Sequence, residues 1–196
     1  MKYSAFAETI RGITLVQEAD SLPTIYCDMD GVLCDFRKGI ENMFKLKSKN
    51  PSEPGPMQMA GYSDVDDWLD APLTPGKWEV IENYKMFWPT LPWTKDGKKL
   101  WSYIQKYNPH ILSAYSPYDK NCIKGKTLWL QRNLKLTDAS RIHLVRRAEK
   151  KIYANGNVLI DDFGRNTKEW KKNKGIPVKY KSAVQAISDL RKIGYK

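Results

Sequence analysis

The sequence predicts an α/β fold, a parallel sheet flanked by helices with a small helical insert after the first strand. Three observations carry that expectation. Short apolar, β-prone runs alternate with helical stretches after Trp93, the pattern of βα units. The first strand is followed by a long segment without β-type alternation. Paired aspartates close two of the predicted strands, Asp28 and Asp30 after the first and Asp161-Asp162 after a later one. Parallel sheets bind ligands at the C-terminal ends of their strands.

The elements follow in order. Residues 1–22 read as a leader, where Phe6, Ile10, Ile13 and Val16 suggest a short amphipathic helix. Thr24-Ile25-Tyr26-Cys27 is a buried strand. From Phe36 a helical pattern (Ile40, Met43, Phe44) runs into the breaker cluster Asn50-Pro51-Ser52-Glu53-Pro54-Gly55-Pro56, then an acidic, aromatic stretch through Trp68, Trp78, Tyr84, Phe87 and Trp88. A helix is expected from Asp96 to Tyr107, a strand at His110–Ser113, a helix at Asp119–Leu134, and strands at Ile142–Val145 and Val158–Ile160. Asn166–Asn173 is helical. Ile176–Tyr180 is a strand that Pro177 places at an edge, and Ser182–Ile193 is the closing helix. The division is a leader at 1–22, a core at 23–35 and 91–196, and an insert at 36–90.

The chain has 196 residues, 41% of them hydrophobic and 28% charged, enough to bury a core. No apolar run approaches the roughly 18 residues of a membrane span, and no secretory signal is expected. Cys27, Cys34 and Cys122 have neither disulfide-framework nor zinc spacing, so a reducing cytoplasm is the expected setting. Residues 1–90 carry a net charge of −5 and residues 91–196 one of +16, for +11 in all. A basic half suits a phosphate-bearing partner, or is simply a solvated, lysine-rich surface.

The strand-end residues point to a chemistry. Asp28-Met29-Asp30-Gly31 is a compact acidic turn. Asp161-Asp162 brings two more carboxylates, which would repel the first pair unless a cation lay between. A hard divalent ion such as Mg²⁺ fits carboxylate and carbonyl oxygens; the other reading of Asp161-Asp162 is a helix N-cap. Ser113 either bonds a phosphate oxygen or caps the turn before Pro117. Lys150 and Lys151 either reach into the site to neutralise a phosphoryl group or remain a solvated pair.

The run Tyr26-Cys27-Asp28-Met29-Asp30-Gly31-Val32-Leu33-Cys34-Asp35-Phe36 resembles the first motif of the haloacid dehalogenase-like (HAD) phosphohydrolases, and within them the 5′(3′)-deoxyribonucleotidase branch. Ile111-Leu112-Ser113 matches the second motif and Val158-Leu159-Ile160-Asp161-Asp162 the fourth. Ungapped spacing places the third-motif lysine at Lys151, with Lys150 as the alternative. The resemblance covers about residues 24–190.

It implies a HAD-like Rossmannoid core with residues 36–90 as a helical cap. Asp28 would be the nucleophile and Asp30 the acid and base. Mg²⁺ would be held by Asp28, the Asp30 carbonyl and Asp161, with Asp162 close by. Ser113 and Lys151 would bind the phosphoryl oxygens. Phe36 would hold a nucleotide base with a cap aromatic pair, the part assigned to Phe87-Trp88; Trp68 and Trp78 are expected in the cap's own core. The implied activity is Mg²⁺-dependent hydrolysis of nucleoside monophosphates, 5′-deoxyribonucleotides first among them, through an aspartyl-phosphate intermediate. The sequence departs from that branch after Ser113, where Ala114 replaces a second hydroxyl residue. Competing readings are a phosphatase of nucleic-acid ends, or of another small phosphorylated metabolite, and an idle nucleic-acid-binding module. The intact set of motif residues argues against the last.

Overall fold

The computed structural model describes residues 22–48, 50 and 52–196. The expected helix over Phe6–Val16 lies outside them. Five parallel strands form one sheet: β1 (Ile25–Cys27), β2 (His110–Ala114), β3 (Ile142–Val145), β4 (Val158–Asp161) and β5 (Ile176–Lys179). The spatial order is β3-β2-β1-β4-β5. The chain builds outward from β1 through β2 to β3, then crosses to β4 on the other side. The order therefore reverses at β1, and the crevice at its C-terminal end is the natural ligand site of such a sheet. Pro177 lies in β5, an edge strand, as its missing N–H requires.

Period-two alternation in β1 divides the core. Ile25 and Cys27 face a large cluster that includes Leu100, Trp129, Ile160 and Leu190; Tyr26 faces a second, with Leu112, Leu159 and Trp170. Burial on both faces explains why the strands read as apolar runs. The flanking helices are α5 (Gly97–Ile104), α6 (Cys122–Leu134), α7 (Gly164–Lys172) and α8 (Ala183–Ile193). Trp129 of α6 and Leu190 of α8 belong to the first cluster, and Trp170 of α7 to the second. The Ser182 side chain caps α8 by accepting from Gln185 N, and Gly194 closes it at φ +119°.

Between β1 and residue 90 the chain is helical: α1 (Phe36–Phe44), α2 (Pro56–Met59), α3 (Val65–Asp70), α4 (Pro75–Asn83) and a 3₁₀ turn at Trp88–Thr90. Asp35, Asp64 and Thr74 cap α1, α3 and α4 by accepting from the backbone N–H three residues on. The outgoing and returning chains are stitched together where this segment joins the core. Asp35 N donates to Pro92 O at 2.8 Å and Thr94 N to Leu33 O at 2.9 Å. The Trp88–Trp93 stretch thus runs into a backbone seam. Between β3 and β4 there is no α-helix but a 3₁₀ helix, Arg147–Tyr153, an element the apolar periodicity does not signal.

Candidate active site

Asp28 is the first residue past β1, and its N–H still donates to Ile160 O at 2.9 Å. Its carboxylate therefore stands at the mouth of the sheet, next to the end of β4. The following turn folds back on Met29 O, which accepts from Val32, Leu33 and Cys34 N–H. Gly31 has φ +75°, and a Cβ there would lie 2.2 Å from Asp162 Oδ2. The glycine is required both by the left-handed backbone and by the close approach of Asp162.

Asp28 accepts from Met29 N at 2.7 Å through Oδ1, and its Oδ2 lies 2.8 Å from Lys150 Nζ. Lys150 also reaches Asp161 Oδ2 at 2.8 Å and is 2% exposed. Burial opposes its charge, but Asp28 and Asp161 outweigh that and hold its pKa above the usual lysine value. Lys151 is exposed. The assignment of Lys151 to the site is therefore corrected to Lys150. Neighbouring side chains on a 3₁₀ helix diverge by about a third of a turn, so one extra residue before β4 exchanges the inward lysine for the outward one.

Asp161 is fully buried. Its Oδ1 accepts from Phe163 N at 2.8 Å, and its Oδ2 from Lys150 and from Asn166 Nδ2 at 2.9 Å. Arg147 donates to Asn166 Oδ1 at 3.2 Å and so fixes the orientation of that amide. The N-cap position of α7 is Phe163, with no side-chain cap bond, so neither aspartate serves as that cap.

One oxygen each from Asp28, Asp161 and Asp162 lie within 4.8 Å of one another. Burial, then the Asp28 charge, pushes Asp161 up to about 7, and the same causes raise Asp162. Three crowded carboxylates against one lysine leave an excess of negative charge, and their all-oxygen donor set fits a hard divalent cation. The carboxylate of Asp30 points elsewhere and is not part of this cluster.

Asp30 Oδ2 meets Lys126 Nζ at 2.5 Å, and Oδ1 accepts from Cys34 Sγ at 3.4 Å. Lys126 also donates to Ser113 Oγ at 3.1 Å and Ala114 O at 2.5 Å. Ser113 is fully buried at the end of β2 and stands on this network. None of the sequence motifs singles out Lys126, although the sequence carries a signal for it. It interrupts the buried stripe Cys122, Trp129, Leu130 of α6, and a lysine on the apolar face of a helix needs a partner.

Above these groups opens a cavity of about 550 Å³. Asp28, Asp30, Lys150 and Asp162 line its floor; Phe36 and Trp78 line its wall. Phe36 is half-buried and packs with its ring centroid 5.5–6.2 Å from those of Trp68, Trp78, Phe87 and Trp88. Trp68 is core, as expected, at 1% exposure. The other two tryptophans exchange expectations. Trp78 is only half-buried and faces the cavity, whereas Trp88 is 3% exposed. Trp88 borders the cavity, but its Nε1 donates to Asp119 Oδ2 at 2.5 Å and its ring covers Lys126, 5.0 Å from the centroid. Little of it is free for a ligand.

No protein-family model matches the sequence, and no curated protein matches it either. Solved structures do match. A hydrolase from Streptococcus pneumoniae TIGR4 superimposes with a TM-score of 0.50 at 13% identity, covering 87% of this chain and 99% of that one. A hydrolase from Pseudomonas syringae gives 0.50 at 15% identity, with the same coverage. A HAD-superfamily hydrolase of subfamily IA, variant 1, from Geobacter sulfurreducens PCA gives 0.50 at 13%, covering 83% of this chain and 88% of that one. At such identities the likeness concerns the fold. With its five-stranded parallel sheet and the acidic crevice at the end of β1, the chain has the HAD-like α/β fold.

Proposed function

We propose that the protein is a Mg²⁺-dependent phosphomonoesterase of nucleoside monophosphates, 5′-deoxyribonucleotides first among them, working through an aspartyl-phosphate. The observation that carries this reading is the Lys150 ammonium between Asp28 and Asp161, on the floor of an aromatic-walled cavity. Asp28 attacks phosphorus as the bond to the leaving oxygen breaks, and Asp30 supplies the proton that oxygen needs. Water then attacks the phosphoryl group, Asp30 takes its proton, and the Asp28–phosphorus bond breaks to release phosphate. Lys150 has three N–H groups and spends two on Asp28 and Asp161, leaving one for a phosphoryl oxygen. Ser113, expected to bind a phosphoryl oxygen, is fully buried and does not line the cavity; its Oγ accepts from Lys126 and so supports that lysine instead. Asp28, Asp161 and Asp162, with the Asp30 carbonyl, would hold Mg²⁺, which when bound would supply charge screening between nucleophile and phosphate.

The cavity volume falls within the roughly 300–1,000 Å³ of small-ligand sites, and Phe36 with Trp78 offers a planar group an apolar wall. The three buried free thiols suit a reducing cytoplasm. A second reading, hydrolysis at nucleic-acid ends, draws on the exposed Tyr118 and Phe163 at the cavity mouth and on the +16 of residues 91–196. The test is phosphate release with Mg²⁺ across ribo- and deoxyribonucleoside monophosphates, sugar phosphates and end-phosphorylated oligonucleotides. Turnover led by mononucleotides, with little salt dependence, supports the first reading; a steep salt slope on oligonucleotides supports the second.

A further inference from the structure

Lys126 is a fully buried lysine of α6 on which the phosphatase scheme makes no direct call. We propose that it is a positioning residue for leaving-group protonation, aiming the Asp30 carboxylate at the leaving oxygen; the inference rests on the phosphatase reading. An ammonium has three hydrogens. Those of Lys126 meet three acceptors, Asp30 Oδ2, Ser113 Oγ and Ala114 O. None remains for a phosphoryl oxygen, which separates Lys126 from Lys150. The bond to Ala114 O ties the ammonium to the end of β2. Cys34, just past the acidic turn, holds the second Asp30 oxygen through its Sγ. The Asp30 carboxylate is therefore held from two sides while remaining on the cavity floor.

The roof over Lys126 is equally fixed. Trp88 lies over the ammonium, and its indole N–H is anchored to Asp119. Gly125 lets α6 approach this closely, since a Cβ there would come within 2.4 Å of the Trp88 Cβ. This gives Trp88 a role in place of base stacking: it covers the cation that orients the acid. Proton transfer depends steeply on the direction of the donor, so loss of Lys126 should act on the step that needs a proton.

The test compares kcat/KM for p-nitrophenyl phosphate, whose leaving group needs little protonation, with that for an alkyl phosphate monoester, whose leaving group needs it. Lys126→Met, and Lys126→Gln as the variant that keeps some hydrogen bonding, should lose about 100-fold on the alkyl ester and only a few-fold on the aryl ester. Asp30→Asn should show the same split. Equal losses on both esters, or none, with an active wild type would overturn the inference alone. Failure of both variants to fold, with Asp30→Asn folded, would make Lys126 a structural cation and also overturn it. A wild type that hydrolyses neither ester would remove the phosphatase reading and this inference with it.

Discussion

Two adjacent lysines show what a residue's surroundings decide. Lys150→Met leaves Asp28 and Asp161 buried without their shared cation. It should lower kcat at least 100-fold and cost about 3–5 kcal/mol of stability. Lys151→Met, in solvent, should stay within about 0.5 kcal/mol of wild type and keep its activity. Paired kinetics and denaturant melts check both; equal effects would contradict the placement. Phe36→Ala should raise KM for nucleotides more than for p-nitrophenyl phosphate, because its ring lines the cavity wall. Equal rises would mean that it does not touch a base. Asp28, Asp30 and Asp161 were legible as crevice residues because each sits one to three residues past an apolar run. The choice between Lys150 and Lys151 was not, since it depends on the phase of a 3₁₀ helix that carries no apolar rhythm. The exchange of Trp78 and Trp88 was hidden as well: an aromatic in a helical insert reads the same whether it faces a neighbour or a cavity.

At the level of elements, the strands were legible almost to the residue. Ile142–Val145 agrees at both ends, and Pro177 marked the edge strand. Burial on both faces writes each of these strands as a short apolar run, which is hard to misread. The helices of the insert were less legible, because two of them are only four and six residues long. The turn after β1 is the element on which the site most depends. Gly31→Ala would force a Cβ against Asp162 and a left-handed backbone onto alanine, at about 1–2 kcal/mol for the backbone alone. We expect a folded protein with little activity and weakened Mg²⁺ binding by calorimetry. Unchanged Mg²⁺ affinity would show that Asp162 has no part in holding the ion.

For the whole molecule, the charge division gains a structural setting. Strands β2 to β5 all come from the basic residues 91–196, and Ser113, Lys126 and Lys150 come with them. The acidic half supplies β1, Asp28 and the helical segment. The two meet in the crevice, where carboxylates outnumber lysines. Asp161 and Asp162 are raised above their ordinary values, so the metal-free folded state binds protons that the unfolded chain releases at lower pH. Its contribution to stability from these groups should therefore grow as pH falls from about 7 toward 4. Added Mg²⁺ should raise Tm most above pH 7, where the carboxylates are charged. A Mg²⁺-induced shift that is the same at pH 5.5 and pH 8 would contradict the site. Among the described residues, no helix is long and apolar enough to cross a membrane.

In the proposed reaction Asp28 attacks phosphorus and Mg²⁺ is required. Phosphate release from a deoxyribonucleoside 5′-monophosphate, measured for wild type and Asp28→Asn with and without Mg²⁺, tests it most directly. Turnover by wild type with Mg²⁺ alone, and none by a folded Asp28→Asn, is the predicted result. Retained turnover in Asp28→Asn, or wild-type turnover that EDTA leaves intact, would contradict it.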